Sequence, residues 1–127
     1  MNSAKALLLV DNASALDLLH SGTYRFQEIS FEEVRAIVEM HGQKDVLRCF
    51  SHPEIEQLLY KHAGIVISNF HYLPVEEMAP GQDAIIFRFY VTPSETQPSI
   101  QTVYGNEATK LQNLYVYCQF VTRLEET

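Results

Sequence analysis

The sequence predicts an α/β domain in which a mixed β-sheet is flanked by helices, and three observations predict it. Lys5 to Val10 is a continuous apolar run of strand length, the pattern of a strand buried on both faces. Capped, helically spaced segments alternate with strand-like runs through the first half of the chain. The chain has 127 residues and is 46% hydrophobic, which suits one compact domain over residues 1–127 with a single core.

The elements follow in order. Asp11 and Asn12 punctuate the first strand, and Ser14 is read as the cap of a short helix from Ala15 to His20 that closes at Ser21 and Gly22. Thr23 to Ile29 alternates as a strand does, with Tyr24 and Phe26 on one face. Ser30 with Glu33 forms a capping box, and Ile29 is placed as the staple against Val34. Val34, Ile37, Val38 and Met40 carry the apolar stripe of that helix, and Gly42 stops it.

Val46 to Phe50 reads as a short strand. Ser51-His52-Pro53-Glu54 reads as a helix start, because proline suits the first helical position and glutamate suits the positive end of the helix dipole. Ile55, Leu58 and Leu59 carry this helix to Gly64. Ile65 to Leu73, Ala84 to Val91 and Leu114 to Val121 read as strands, separated by a polar loop from Pro74 to Gln82 and a longer one from Thr92 to Glu107. The order is then βαβαβαβββ.

Acidic residues outnumber basic ones by 16 to 9, for a formal charge of -7. Such a chain repels polyanions at long range, which excludes sequence-independent binding to duplex nucleic acid, but a pocket for a small anion needs only local donors. Cys49 and Cys118 stand apart in apolar stretches and read as buried free thiols in a reducing cytoplasm. The first apolar run is too short to span a membrane and lacks a small-residue cleavage site, so no membrane partner is expected.

There is no glycine-rich phosphate loop, no close-spaced metal-ligand motif and no strained-turn serine. Helix starts after strands therefore carry the search, since their free N–H groups attract phosphate or carboxylate. Three qualify: Asn12 to Ser14, Ser30, and Ser51 to Glu54. At the third, His52 either caps the helix and faces water or exchanges a proton with a bound phosphate, with Arg48 four residues before it. Glu95 is either a solvated loop acid or a catalytic carboxylate. Arg88, amid Ile85, Ile86, Phe87, Phe89 and Tyr90, faces either the open side of the sheet or an anionic partner. His20, His41 and His62 sit near helix ends where a cation is favoured, and His71 lies on a strand.

Several segments together resemble the viral ring nuclease family, type III anti-CRISPR proteins that degrade cyclic tetra-adenylate. LLLVDNASALDLL is similar to that family's opening strand, turn and short helix; GTYRFQEISFEEVRAIV and FSHPEIEQLLYKHAG resemble its next strand and helices; DAIIFRFYVTPSE resembles its late hydrophobic strand and turn. About three quarters of the chain takes part. The resemblance implies a symmetric homodimer enclosing a cyclic oligoadenylate and acting without metal or other cofactor in the cytoplasm, that of a host if the gene is viral or prophage-borne. A ribose 2′-OH would attack the adjacent phosphorus, giving linear di-adenylate with a 2′,3′-cyclic phosphate. His52 falls on the family's catalytic histidine and Glu95 on its glutamate, while Asn12 and Ser14 fall at its ligand-contacting turn. Backbone N–H groups from Ser51 to Ile55 would hold phosphate.

The sequence departs from that family where the glycine before the histidine becomes Ser51. Pro53, Glu54 and Ile55 replace small polar residues, and the arginine before the glutamate becomes Thr92. Arg88, on the same strand face by period two, is the candidate substitute for that arginine. These departures open a second reading, a protein that sequesters a cyclic nucleotide without cutting it. A third is a structural or partner-binding domain.

Overall fold

The computed structural model describes residues 6–20, 22–50, 53–91 and 114–125. Its elements are β1 (Leu7–Asp11), α1 (Asn12–Leu18), β2 (Tyr24–Ile29), α2 (Phe31–His41), β3 (Val46–Arg48), α3 (Pro53–Ala63), β4 (His71–Tyr72), β5 (Asp83–Val91) and β6 (Leu114–Arg123). Short 3-10 turns occupy Gln43–Asp45 and Ile67–Asn69. The order of strands and helices is the predicted one.

All six strands form one sheet in the order β2-β6-β5-β1-β3-β4. β1 runs parallel to both β3 and β5, and β4 runs parallel to β3. β6 is antiparallel to β5 and to β2, which makes the sheet mixed. The central place of β1 follows from its sequence, because an apolar run without alternation can be stable only with both faces covered. Leu7 and Leu9 pack with Val34 and Val38 of α2 and Ile55, Leu59 and Ala63 of α3. Leu8 and Val10 pack on the opposite face with Ala15 and Leu18 of α1 and with Met78. Each such leucine removed from water contributes about 1.5–3 kcal/mol before the entropy of ordering is subtracted.

α2 forms where its local signals converge. The Ser30 hydroxyl accepts from the Glu33 N–H at 3.1 Å, and the Glu33 carboxylate accepts from the Ser30 N–H at 2.9 Å. Gly42 ends the helix at φ 85°, a conformation that side chains disfavour. Met40 does not join the stripe; it is 77% exposed.

Other boundaries shift for identifiable reasons. α1 starts at Asn12 rather than Ala15, because Asp11 and not Ser14 is its cap and accepts from the Ser14 N–H at 2.8 Å. β3 ends at Arg48, although the Cys49 N–H still donates to the Leu9 carbonyl at 2.9 Å. The run Ile65 to Leu73 is not one strand: Ile65, Ile67 and Phe70 are buried at uneven spacing through a 3-10 turn, and only His71–Tyr72 pairs with β3. β5 begins one residue earlier than predicted, and β6 extends to Arg123. The loop Thr92 to Glu107 lies outside the described residues.

Candidate functional site at the carboxyl ends of the parallel strands

The chain leaving β1 turns to one face of the sheet as α1, and the chain leaving β3 leads to α3 on the other face. In open α/β sheets, neighbouring parallel strands whose connections diverge in this way mark the place where ligands bind, outside the carboxyl ends of the strands. Here that place lies between β1 and β3, with β5 on the far side of β1.

The end of β1 is rich in polar groups. Asp11 is only 6% exposed, and its carboxylate caps α1. The Asn12 Nδ2 donates to the Phe89 carbonyl at 2.9 Å, and the Phe89 N–H donates back to the Asn12 Oδ1 at 3.1 Å. Since β1 and β5 are in register at Asp11 and Phe87, this side chain continues the ladder one step beyond the last paired strand residue. The Ser14 hydroxyl donates to the Cys49 carbonyl at 3.3 Å.

Cys49 and Cys118 are both free and buried. Burial pushes the Cys49 thiol up to about 11; the nearby Asp11 charge adds to that rise, and a hydrogen bond with the Val75 backbone opposes it. Burial alone pushes Cys118 up to about 12. Both sulfurs are therefore neutral thiols near pH 7 and poor nucleophiles.

The candidate arginines are held elsewhere. Arg48 donates from Nε to the Phe70 carbonyl at 3.2 Å and lies 5.0 Å from the centre of the Tyr72 ring, at the β4 edge of the sheet. Arg88 is half-buried and donates from Nε to Gln119 Oε1 at 2.8 Å, across β5 and β6. The structure thus brings Asn12 and Ser14 together at the switch point and anchors Arg48 and Arg88 on opposite sides of it. Ser51, His52 and Glu95 lie outside the described residues; α3 begins directly after the first two in sequence, with Glu54 and Glu56 in its first turn.

His20 Nε2 lies 3.2 Å from the Glu76 carbonyl oxygen, His41 ends α2, His62 stacks on Phe31 with ring centres 5.3 Å apart, and His71 sits on β4. A depression of about 440 Å³ lined by Arg35, Val38, Gly42, Gly64 and Phe70 lies where α2 and α3 end, away from the carboxyl ends of the parallel strands. Among the described residues no group of three or more His, Cys, Asp or Glu side chains is placed to hold a metal ion, and no helix is long and apolar enough to cross a membrane.

Reading from sequence missed Asp11 as a buried cap and Gln82 as a buried clamp. The first was accessible, since aspartate ranks with serine as a cap and stands where the strand stops.

The fold is that of an α/β protein with a mixed sheet, and its switch point beside the central strand is the candidate site. In that fold the chain is similar to B116 of Sulfolobus turreted icosahedral virus (STIV), with a TM-score of 0.59 and 13% sequence identity over 93% of this chain and 100% of that one. No family model and no curated protein matches the sequence. At this identity the likeness establishes the shared fold.

Proposed function

We propose that this protein is a metal-independent phosphodiesterase that opens a cyclic oligoadenylate, with cyclic tetra-adenylate as the expected ring, and so switches off type III CRISPR defence. The observation that carries the reading is the switch point at the end of β3, the strand that leads to α3. The sequence has His52 immediately before Pro53, the first residue of α3. The fold shared with a viral protein supports a virus-borne role.

In the proposed reaction a ribose 2′-OH attacks the neighbouring phosphorus and the bond from phosphorus to the 5′-oxygen breaks. His52 gives a proton to that departing oxygen, the 2′-OH releases its own proton to solvent as the new bond to phosphorus forms, and Glu95 orients the reacting groups or assists them. Cleavage at two opposite linkages converts the four-nucleotide ring into two linear di-adenylates, each ending in a 2′,3′-cyclic phosphate. A symmetric dimer would supply one His52 to each linkage.

The test is incubation with cyclic tetra-adenylate in excess EDTA, followed by mass spectrometry. Linear products are expected, and His52→Ala should bind the ring yet cut it roughly 10²–10⁴-fold more slowly, the usual contribution of a positioned acid. Equal cleavage by both proteins overturns the role of His52. The acidic first turn of α3, with Glu54 and Glu56, favours a second reading in which the ring is held but not cut, because carboxylates there offset the dipole that would stabilise a more charged transition state. Intact ligand recovered after denaturation, with Glu95→Ala indistinguishable from wild type, is the outcome that selects it.

A further inference from the structure

We infer that the turn from Asp11 to Ser14 is a clasp joining the ends of three parallel strands, and that Asn12 is a positioning residue for the proposed reaction rather than a contact to the ligand. The inference rests on the proposed function for its catalytic part and on geometry alone for the clasp.

The polar groups of this turn are committed to the protein itself. Asp11, at the end of β1, takes the Ser14 N–H. Asn12 reaches β5, engaging both the N–H and the carbonyl of Phe89 with the two ends of its amide. Ser14 reaches the residue just after β3 by donating to the Cys49 carbonyl. One turn of chain therefore ties β1, β3 and β5 together at their carboxyl ends.

Electrostatics argue the same way. A bound phosphate would seek the free N–H groups at the start of a helix, but at α1 the buried Asp11 carboxylate already occupies that position with a negative charge. An anion placed there would meet like charge at short range. The proposed function places phosphate instead at the start of α3, next to His52 in the sequence. The clasp then acts by fixing how β5 leaves the sheet relative to β3, and displacements of about 1 Å at a reacting centre cost on the order of a hundredfold in rate.

The first measurement needs no ligand. In the full chain, hydrogen exchange at the Phe89 amide should quicken at least roughly tenfold in Asn12→Ala, with Ile85 and Ile86 in the body of β5 unchanged, since losing a local bond opens only the segment that it holds. Asn12→Leu keeps the size and removes both ends of the amide, and it should show the same direction of change if the alanine variant folds poorly. Unchanged exchange in both variants overturns the clasp.

The second measurement separates binding from chemistry with cyclic tetra-adenylate. Affinity is read in a His52→Ala background, and rate is read from single turnover at saturating enzyme. Asn12→Ala should leave Kd within about threefold and slow the single-turnover step by roughly ten- to a hundredfold. A Kd weakened tenfold at an unchanged rate overturns the positioning role and makes Asn12 a ligand contact. If the wild-type chain neither binds nor cuts the ring, the proposed function falls and the positioning role with it, while the exchange measurement still decides the clasp.

Discussion

Gln82 donates from Nε2 to the carbonyl of Ala6 at 3.0 Å, across 76 residues of sequence, and its Oε1 accepts from the Ala79 N–H at 2.9 Å. The side chain is 2% exposed, so a surface-looking glutamine at the end of a polar loop is an internal clamp between that loop and the approach to β1. Replacing it with leucine strips two backbone groups of their partners, at about 1–3 kcal/mol each where they are buried. Gln82→Leu should lower the urea midpoint with an unchanged m value, the mark of lost stability without a change in the surface exposed on unfolding.

The capping box of α2 gives a smaller effect. Ser30→Ala removes the acceptor for the Glu33 N–H and leaves the exposed helix start to water. A loss of about 1 kcal/mol is expected in chemical denaturation. Glu33→Gln, which keeps an oxygen for the Ser30 N–H, should cost less.

Gly42 tests backbone strain without steric conflict. Its backbone stands at φ 85° and ψ 155°, and a Cβ there would meet nothing within 4 Å. Gly42→Ala should nevertheless destabilise the protein by about 1–3 kcal/mol, because this region of backbone space is nearly closed to side chains. A thermal melt indistinguishable from wild type would show that the turn relaxes.

The thiols predict a pH dependence of stability. Burial pushes Cys49 up to about 11 and Cys118 up to about 12, whereas in the unfolded chain both ionise near the ordinary thiol range of about 8.5. Above that range the unfolded state has lost its thiol protons while the folded state keeps them, so stability falls as pH rises. It is undiminished by these groups below about pH 8 and declines from there until the folded thiols ionise. Denaturation between pH 8 and 11 should show this decline, and Cys118→Ala should flatten it relative to wild type at each pH.

Much of this architecture is written locally. The unbroken apolar run of β1 and the reciprocal Ser30 and Glu33 pair are short-range signals, and both appear where the sequence puts them. The first helix was displaced because Asp11 and Ser14 are both competent caps, and only the carboxylate stands where the chain must turn out of the strand. The Ile65 to Leu73 run misled because burial around a 3-10 turn yields the same apolar composition as a strand.

At the candidate site, the residue types were legible and their partners were not. Asn12 with Phe89 and Ser14 with Cys49 are separated by 77 and 35 residues, and no periodicity encodes such distances. Arg88 stands amid apolar strand residues, where an arginine needs a partner, and Arg48 lies four residues before His52. What they found were Phe70, Tyr72 and Gln119.

The placement of β2 bears on how the chain is made. β2 pairs with β6 alone among the described strands, and Tyr24 meets Arg123 across it. The two strands are separated by roughly ninety residues at their nearest, a loop whose closure is entropically slow relative to local contacts. During synthesis, β2 waits as an unsatisfied edge while the rest of the sheet is translated, so premature termination before Leu114 should yield an aggregation-prone fragment rather than a smaller version of the same fold.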